Sequence, residues 1–406
     1  MVIKKIVLRE ILDSRGNITV EAEVSGENFK ACAAAPSGAS VGKYEKEAFP
    51  KGGAREGISA FNKKITDKLI GVEADYKKVD AIISESDPDF AHIGGNTSVA
   101  VSLAVGKLQA KEKGIEFHAL FNGAPSLPFP LGNIIGGGVH SGKGSPELQE
   151  FLTLPVGAKS FKEAVLANSK VHKLVGQIID KKLPNFTRGR NDEGAWAPPV
   201  TIEEAIAILN EAVDKAKSEF GFKIKTGVDL ASSEFYSSKE KKYVYKNFSL
   251  SPSDQVNFVV ELFDRYGFFY IEDPIQEEDF GGFANVTKEI GKKCLIVGDD
   301  LTVSSPERLE TAVKQNSINS LIVKPNQIGS LTQTENVIKA AKRNKIIPVV
   351  SHRSGETTDT SIAHIAAGFK CPIIKTGAVG GERIAKLNEL IRIEEKTKAK
   401  LAEITL

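Results

Sequence analysis

Runs of apolar residues in the second half of this chain break off six times at a charged or metal-binding side chain. They read KIKTGVD, FFYIED, CLIVGDD, SLIVKP, PVVSHR and PIIKTG. They end on or beside Asp229, Glu272, Asp299, Lys324, His352 and Lys375, at intervals of 43, 27, 25, 28 and 23 residues. Short apolar runs of this kind suit strands buried on both faces. Except for the first, each interval holds one strand and one helix returning to the next strand. The stretch YSSKEKKYVYKN at 236–247 reads as a surface hairpin that lengthens the first interval. Helical periodicity at 201–220, 253–267, 305–316, 332–344 and 380–401 supplies the returning layer. Strand–helix units repeated at this spacing predict an α/β parallel barrel, whose strand C-terminal ends converge on one mouth. Strand ends also turn polar wherever they leave a core. That accounts for two or three such positions, not for six in register.

The first 125 residues follow a different rhythm. IKKIVLREILD, NITVEAEVS and FKACAAA read as strands, the last two flanking a hairpin signal at 26–28. Helical patterns follow near 54–70, 76–86 and 97–112, the last with a dense apolar stripe through Val99, Leu103 and Leu108. Strands followed by helices predict a small α+β domain over 1–125, with the barrel over 126–406. The proline-interrupted segment GAPSLPFPLGN at 123–133 reads as the connection.

Composition narrows the class. In 406 residues, 41% are hydrophobic and 26% charged, ordinary for a globular enzyme. The net charge of +2 comes from 54 basic and 52 acidic residues spread along the chain, which points to neither a nucleic acid nor a membrane as partner. No run of eighteen apolar residues occurs, and the start MVIKKIVLREILDSRG has no signal-peptide pattern. Cys32, Cys294 and Cys371 are odd in number and lie in apolar runs, which reads as reduced core thiols in a cytoplasmic protein.

The residues at the predicted mouth suggest chemistry. Asp229, Glu272 and Asp299 offer oxygen ligands from separate strands, which suits a hard cation such as Mg²⁺, and zinc-type His/Cys spacing is absent. Asp273 and Asp300 follow two of these directly. Because neighbours on a strand face opposite ways, one of each pair should face elsewhere, Asp300 as a helix cap. Lys324 and Lys375 form a basic wall. A second lysine, burial and a nearby cation all push a lysine toward the neutral form a base needs. Such a pocket suits abstraction of a proton alpha to a carboxylate.

Three glycine-rich loops add candidates. PSGASVGKYE at 36–45 lacks the lysine-serine ending of a nucleotide loop. GGGVHSGKG at 136–144 precedes Gln149 and Glu150, and NDEGAWAPP at 191–199 puts Glu193 near Trp196. A carboxyl beside an indole tends toward a raised pKa and can act as an acid. The first two loops are lid candidates, expected to stand away from Asp299 without a ligand. Arg353 and Ser354 in SHRSGET could hold a phosphate. His92, His118, His172 and His364 read as structural.

The ordered motifs DSRGN, PSGAS, QEF, ASSEFY, IEDP, GDDLTV, SHRSGET, IKTGA and RIEE run nearly end to end, and with them the chain resembles the enolases. The resemblance implies a TIM-like (β/α)8 barrel with a partly antiparallel start, capped by the N-terminal domain. It implies Mg²⁺-dependent interconversion of 2-phospho-D-glycerate and phosphoenolpyruvate in glycolysis. Asp229, Glu272 and Asp299 match the ligands of a first Mg²⁺. Ser40 matches the mobile-loop residue completing a second Mg²⁺ that arrives with substrate. Lys324 matches the base at C2, and Glu193 with Glu150 matches the acid that assists loss of the 3-hydroxyl. Lys375, His352 and His140 match substrate contacts, and Arg353 with Ser354 matches the phosphate grip. A homodimer or higher even oligomer is implied, with Glu21 and Arg392 paired across a two-fold axis. The alternatives are an idle enolase-like binding protein or a superfamily dehydratase acting on a sugar acid. Departures such as Val41 for a threonine, GGGVHSGKG for GGSHAGN and AVGGER for APARSER cluster in the lids and loops. Several of these variants resemble an archaeal branch.

Overall fold

The computed structural model describes residues 2–38 and 42–406. The chain begins with an antiparallel meander of β1 (Lys5–Leu12), β2 (Ile18–Ser25) and β3 (Lys30–Ala34). The β1–β2 turn closes because Asp13 Oδ1 accepts the backbone amides of Arg15 at 2.9 Å and Asn17 at 2.8 Å. Gly16 supplies the left-handed backbone there, with φ of +76°. Along β2, Val20, Ala22 and Val24 are buried in alternation beneath the helix Gly95–Glu112. That helix is buried nearly all round, which explains why its apolar residues spread beyond one stripe. It packs on the meander and also touches the helices Pro325–Ile328 and Leu331–Arg343 of the second half.

The remaining strands are β4 (Phe129–Gly136), β5 (Glu150–Leu154), β6 (Lys225–Asp229), β7 (Tyr236–Ser237), β8 (Lys242–Val244), β9 (Ser249–Leu250), β10 (Tyr270–Glu272), β11 (Leu295–Gly298), β12 (Ser320–Val323), β13 (Ile347–Ser351) and β14 (Ile373–Lys375). β7 to β9 form the small surface sheet expected at 236–247. The other eight close into a barrel in the order β4-β5-β6-β10-β11-β12-β13-β14. All barrel neighbours are parallel except β5, which runs against both β4 and β6. The reversal has a direct consequence. Glu150 begins its strand, yet it lies beside Asp229, which ends its own.

The barrel interior is filled by Phe129, Leu131, Leu152, Leu154, Tyr270, Leu295, Val297, Ile322, Val349 and Ile373. Each aliphatic or aromatic side chain so buried contributes roughly 1.5–3 kcal/mol. Two residues beyond an interior residue, the same face reaches the mouth. Tyr270 thus leads to Glu272, Val297 to Asp299, Ile322 to Lys324 and Ile373 to Lys375. The ionisable ring is the continuation of the core column, one pleat further on.

The helix Ile202–Phe220 starts at a capping box, in which Thr201 and Glu204 satisfy each other's backbone amides, and stops at left-handed Gly221. The helix Phe161–Lys182 lay outside the periodicity reading, because its buried face is built partly from Ala164, Ala167 and Gly176. A Cβ on Gly176 would stand 2.6 Å from the Trp196 ring, so only glycine fits there. The proline-rich segment 123–133, read as a connection, already contains the start of β4. No helix among the described residues is long and apolar enough to cross a membrane.

Candidate active site

Three carboxylates converge on one ammonium. Lys375 Nζ lies 2.8 Å from Glu272 Oε2, 3.1 Å from Asp229 Oδ2 and 3.3 Å from Glu150 Oε2. Asp229 also accepts from Gln149 Nε2 at 3.3 Å, and Glu272 from the Tyr270 hydroxyl at 2.6 Å. Burial, then the charge of Asp229, pushes Glu272 up to about 8. Burial disfavours a charged Lys375 as well, but Glu150, Glu272 and Asp229 together hold it well above the ordinary lysine value. These surroundings favour its cationic form.

Among the described residues Lys324 has one carboxylate within ion-pair distance, hydrogen-bonding Asp299 Oδ2. The sequence reading expected its pKa to be depressed. Burial is the largest single influence and opposes its charge, yet Asp299 and Glu45 act the other way and leave it raised. Asp299 in turn accepts from Gln327 Nε2 at 3.4 Å. Asp273 faces away from Glu272, as strand alternation requires. Its carboxylate accepts the backbone amides of Asp299 at 3.0 Å and Asp300 at 2.9 Å. To do so it adopts a φ of +39°, a strained value for a non-glycine residue. Asp273 therefore holds the strand end that carries Asp299. The helix-cap role expected for Asp300 is not what the hydrogen bonds show, since Asp300 appears there as the anchored amide.

Glu150 and Glu193 lie in the same pocket with opposite proton affinities. Burial, and then the neighbouring charge of Glu193, raises Glu150 well above the carboxylate range. Burial would raise Glu193 too, but His352, then His140 and Arg383, hold it well below that range. Glu193 Oε2 accepts from Asn133 Nδ2 at 3.0 Å and lies 3.4 Å from His352 Nε2, while Oε1 is 3.7 Å from His140 Nδ1. The indole expected to raise Glu193 is engaged elsewhere: Trp196 stacks on His172 at 5.0 Å and donates to its carbonyl at 2.8 Å. Of the two, Glu150 is the carboxyl whose surroundings favour the protonated form.

Arg353 is held by Glu45 Oε2 at 2.8 Å and Asn326 Oδ1 at 3.2 Å. Ser354 lines the same narrow pocket as His140, Glu150, Glu193, Asp229, Asp299, Lys324, His352 and Lys375. Ser40 and Val41 lie outside the described residues. The lid expected there is centred on those residues. Ser37 pairs with Gly355 through backbone bonds of 2.7 and 2.8 Å, and Gly42 packs on Val303 and Asp300.

The donor set fits a hard cation in kind. Asp229, Glu272 and Asp299 offer only oxygens, and Glu272 Oε1 is buried without a hydrogen-bond partner among the described residues. The potential ligand atoms already gathered within 4.8 Å belong to two other groups, His140–Glu150–Glu193 and Asp273–Asp299–Asp300. The carboxylates of the expected triad are instead paired separately, two with Lys375 and one with Lys324.

Comparison with known proteins covers nearly the whole chain. The family described as "Enolase, N-terminal domain" matches residues 3–121, and "Enolase, C-terminal TIM barrel domain" matches residues 124–403. An enolase of Methanosphaera stadtmanae is 50% identical over 402 residues, covering 97% of each chain. Enolases of Methanothermobacter thermautotrophicus and Archaeoglobus fulgidus are 46% and 43% identical, covering 97% of this chain and 97% and 98% of theirs. The chain belongs to the enolase family. Its enolase barrel brings together every expected site residue that is described. The sequence reading did not single out Glu45, Asn133, Asn326, Gln327 or Arg383, which hold those residues in place. Their motifs carried a usable signal, because polar side chains in the otherwise apolar KPNQIG and PLGNIIG runs are costly to bury without a partner.

Proposed function

We propose that this chain interconverts 2-phospho-D-glycerate and phosphoenolpyruvate plus water as a phosphopyruvate hydratase, in the cytoplasm and as a homodimer or higher even oligomer. Supporting this reading most directly, one buried pocket is lined by a lysine base candidate, a carboxyl pair with divided proton affinity, and cationic groups for both anionic ends of the substrate. Family membership over the full length adds to it.

In this reading Lys375 and His352 meet the substrate carboxylate side, while Arg353 and Ser354 hold the phosphate. The phosphate competes with Glu45 for the Arg353 fork. Lys324 takes the C2 proton as a neutral amine, a form it reaches by giving up its own proton to solvent once Asp299 no longer holds the ammonium. Glu150 and Glu193 share one proton and deliver it to the departing 3-hydroxyl, which leaves as water. Asp229, Glu272 and Asp299 would hold one Mg²⁺ and Ser40 would join a second, supplying the positive charge that offsets a substrate carboxylate gaining a second negative charge. Strand alternation leaves Asp273 out of that ligand set. The proposed inter-subunit pair has intrachain competitors, since Glu21 bonds Arg9, and Arg392 bonds Glu389.

Purified protein given 2-phosphoglycerate and Mg²⁺ should develop the ultraviolet absorbance of the enol product, and a chelator should abolish it. Absence of product at any Mg²⁺ concentration would leave the idle binding protein. Turnover of a sugar acid in its place would indicate a dehydratase.

A further inference from the structure

Arg383 takes no part in the chemistry above, yet it is fully buried and is the largest side chain so enclosed. It lies in the first turn of the helix Gly381–Thr397. A cation there opposes the helix dipole, and on its own helix it meets only Glu382, whose Oε1 lies 3.0 Å from Nε. Its contacts elsewhere give a reason for the charge. Nη1 donates to the carbonyl of Arg353 and lies 2.7 Å from His352 Nδ1. Nη2 donates to the carbonyls of Ser354 and, at 3.1 Å, of Asp192. The glycine-rich AVGGER run makes room for the stem: Cβ atoms added at Gly377 and Gly380 would stand 3.5 and 3.2 Å from Arg383 Cγ. Both glycines have left-handed backbones, with φ of +71° and +110°.

The chemistry of the pair removes an ambiguity. A guanidinium has donors only, so His352 Nδ1 must accept and the ring proton must sit on Nε2. Nε2 is the nitrogen that faces Glu193 Oε2 at 3.4 Å. We infer that Arg383 is a positioning residue: it fixes His352 as the Nε2–H tautomer directed at Glu193, and it locks the 352–354 segment to the 192–193 segment. The charged groups acting on His352 are Glu193, Arg383 and Glu356, with His140 acting through Glu193. A purely structural arginine would affect stability but would not favour one tautomer.

The kinetic part of this inference rests on the enolase reading, and the tautomer part does not. Nitrogen-15 NMR of histidine-labelled native protein, with His352 assigned by its loss in His352→Gln, should show a protonated Nε2 and an unprotonated Nδ1. A protonated Nδ1 in active enzyme would overturn the inference. Arg383→Lys keeps the charge but loses the fork. It should lower kcat for dehydration about tenfold to a hundredfold, the scale expected when a catalytic group is displaced by about an ångström. C2 proton exchange, which depends on Lys324, should remain near native, and the His352 spectrum should gain an Nδ1–H component. A folded Arg383→Lys enzyme with native dehydration, or with exchange and dehydration falling together, would also overturn it. If that variant does not fold, the native tautomer decides. Native protein with neither exchange nor dehydration would instead fault the enolase reading, with the tautomer measurement still standing.

Discussion

Lys324 and Lys375 occupy equivalent places, each two residues beyond an interior isoleucine on strands separated only by β13, but their surroundings differ. Lys375 is enclosed by Glu150, Asp229 and Glu272, whereas Lys324 is paired with Asp299 alone. Three partners make a charge that no single event can release, which suits a group that binds an anion throughout a cycle. One partner makes a charge that can be released when that partner is occupied by something else, which suits a base. The role of each lysine therefore follows from the number of carboxylates around it rather than from its position on the barrel.

The strongest test of that division is proton exchange. Lys324→Ala should lower C2 exchange with solvent deuterium by about a hundredfold to ten-thousandfold, the usual contribution of a positioned base. Glu193→Gln should lose net dehydration while retaining exchange. Native exchange in Lys324→Ala would move the base elsewhere and undo the comparison. Next in size is Asp299→Asn, which removes both the partner of Lys324 and a proposed ligand. Its turnover should fall about a hundredfold to a thousandfold with the circular dichroism spectrum unchanged, and full activity in the presence of a chelator would remove the metal role.

Stability separates the lysines a third way. Lys375→Met leaves three buried carboxyls without their shared cation and should cost on the order of 3–5 kcal/mol, read as a drop in denaturant midpoint. Lys324→Met should cost clearly less, and equal losses would show that partner number does not set the difference.

The smallest effect lies outside the mouth. Buried Asp80 links the capping helix Tyr76–Ser86 to the barrel, accepting the Thr332 amide at 2.9 Å and hydroxyl at 2.6 Å. Burial raises it to about 6 from 3.8. A carboxyl with a raised folded value favours folding fully below its unfolded value, and that advantage is lost as pH rises through the folded one. Relative to Asp80→Asn, the native chain should lose stability between about pH 4 and 6, by up to about 3 kcal/mol, and little beyond. A stability difference flat across that window would mean that Asp80 titrates normally.

How much of this was legible in the chain depends on how local its cause is. The inward column of each barrel strand is set by a two-residue period, so Glu272, Asp299, Lys324 and Lys375 could be placed at a mouth from the sequence, as could the hairpin at 236–247 and the capped helix after Thr201. The order of the enolase motifs could be read the same way. Three things were decided only by tertiary structure. The antiparallel course of β5, expected only through the family resemblance, brings Glu150 to the same end as residues that finish their strands, and FPLGNIIG and EFLTL themselves carry no mark of direction. The division of proton affinity between Glu150 and Glu193 comes from burial together with His352, His140 and Arg383 around Glu193, groups distant in sequence that act only after burial removes the water between them. The surroundings of Lys324 were out of reach for the same reason, because its closest charged neighbour is Asp299, from another strand, rather than a second lysine. Pattern is a property of adjacent residues, whereas charge state is a property of whatever the fold brings within a few ångströms.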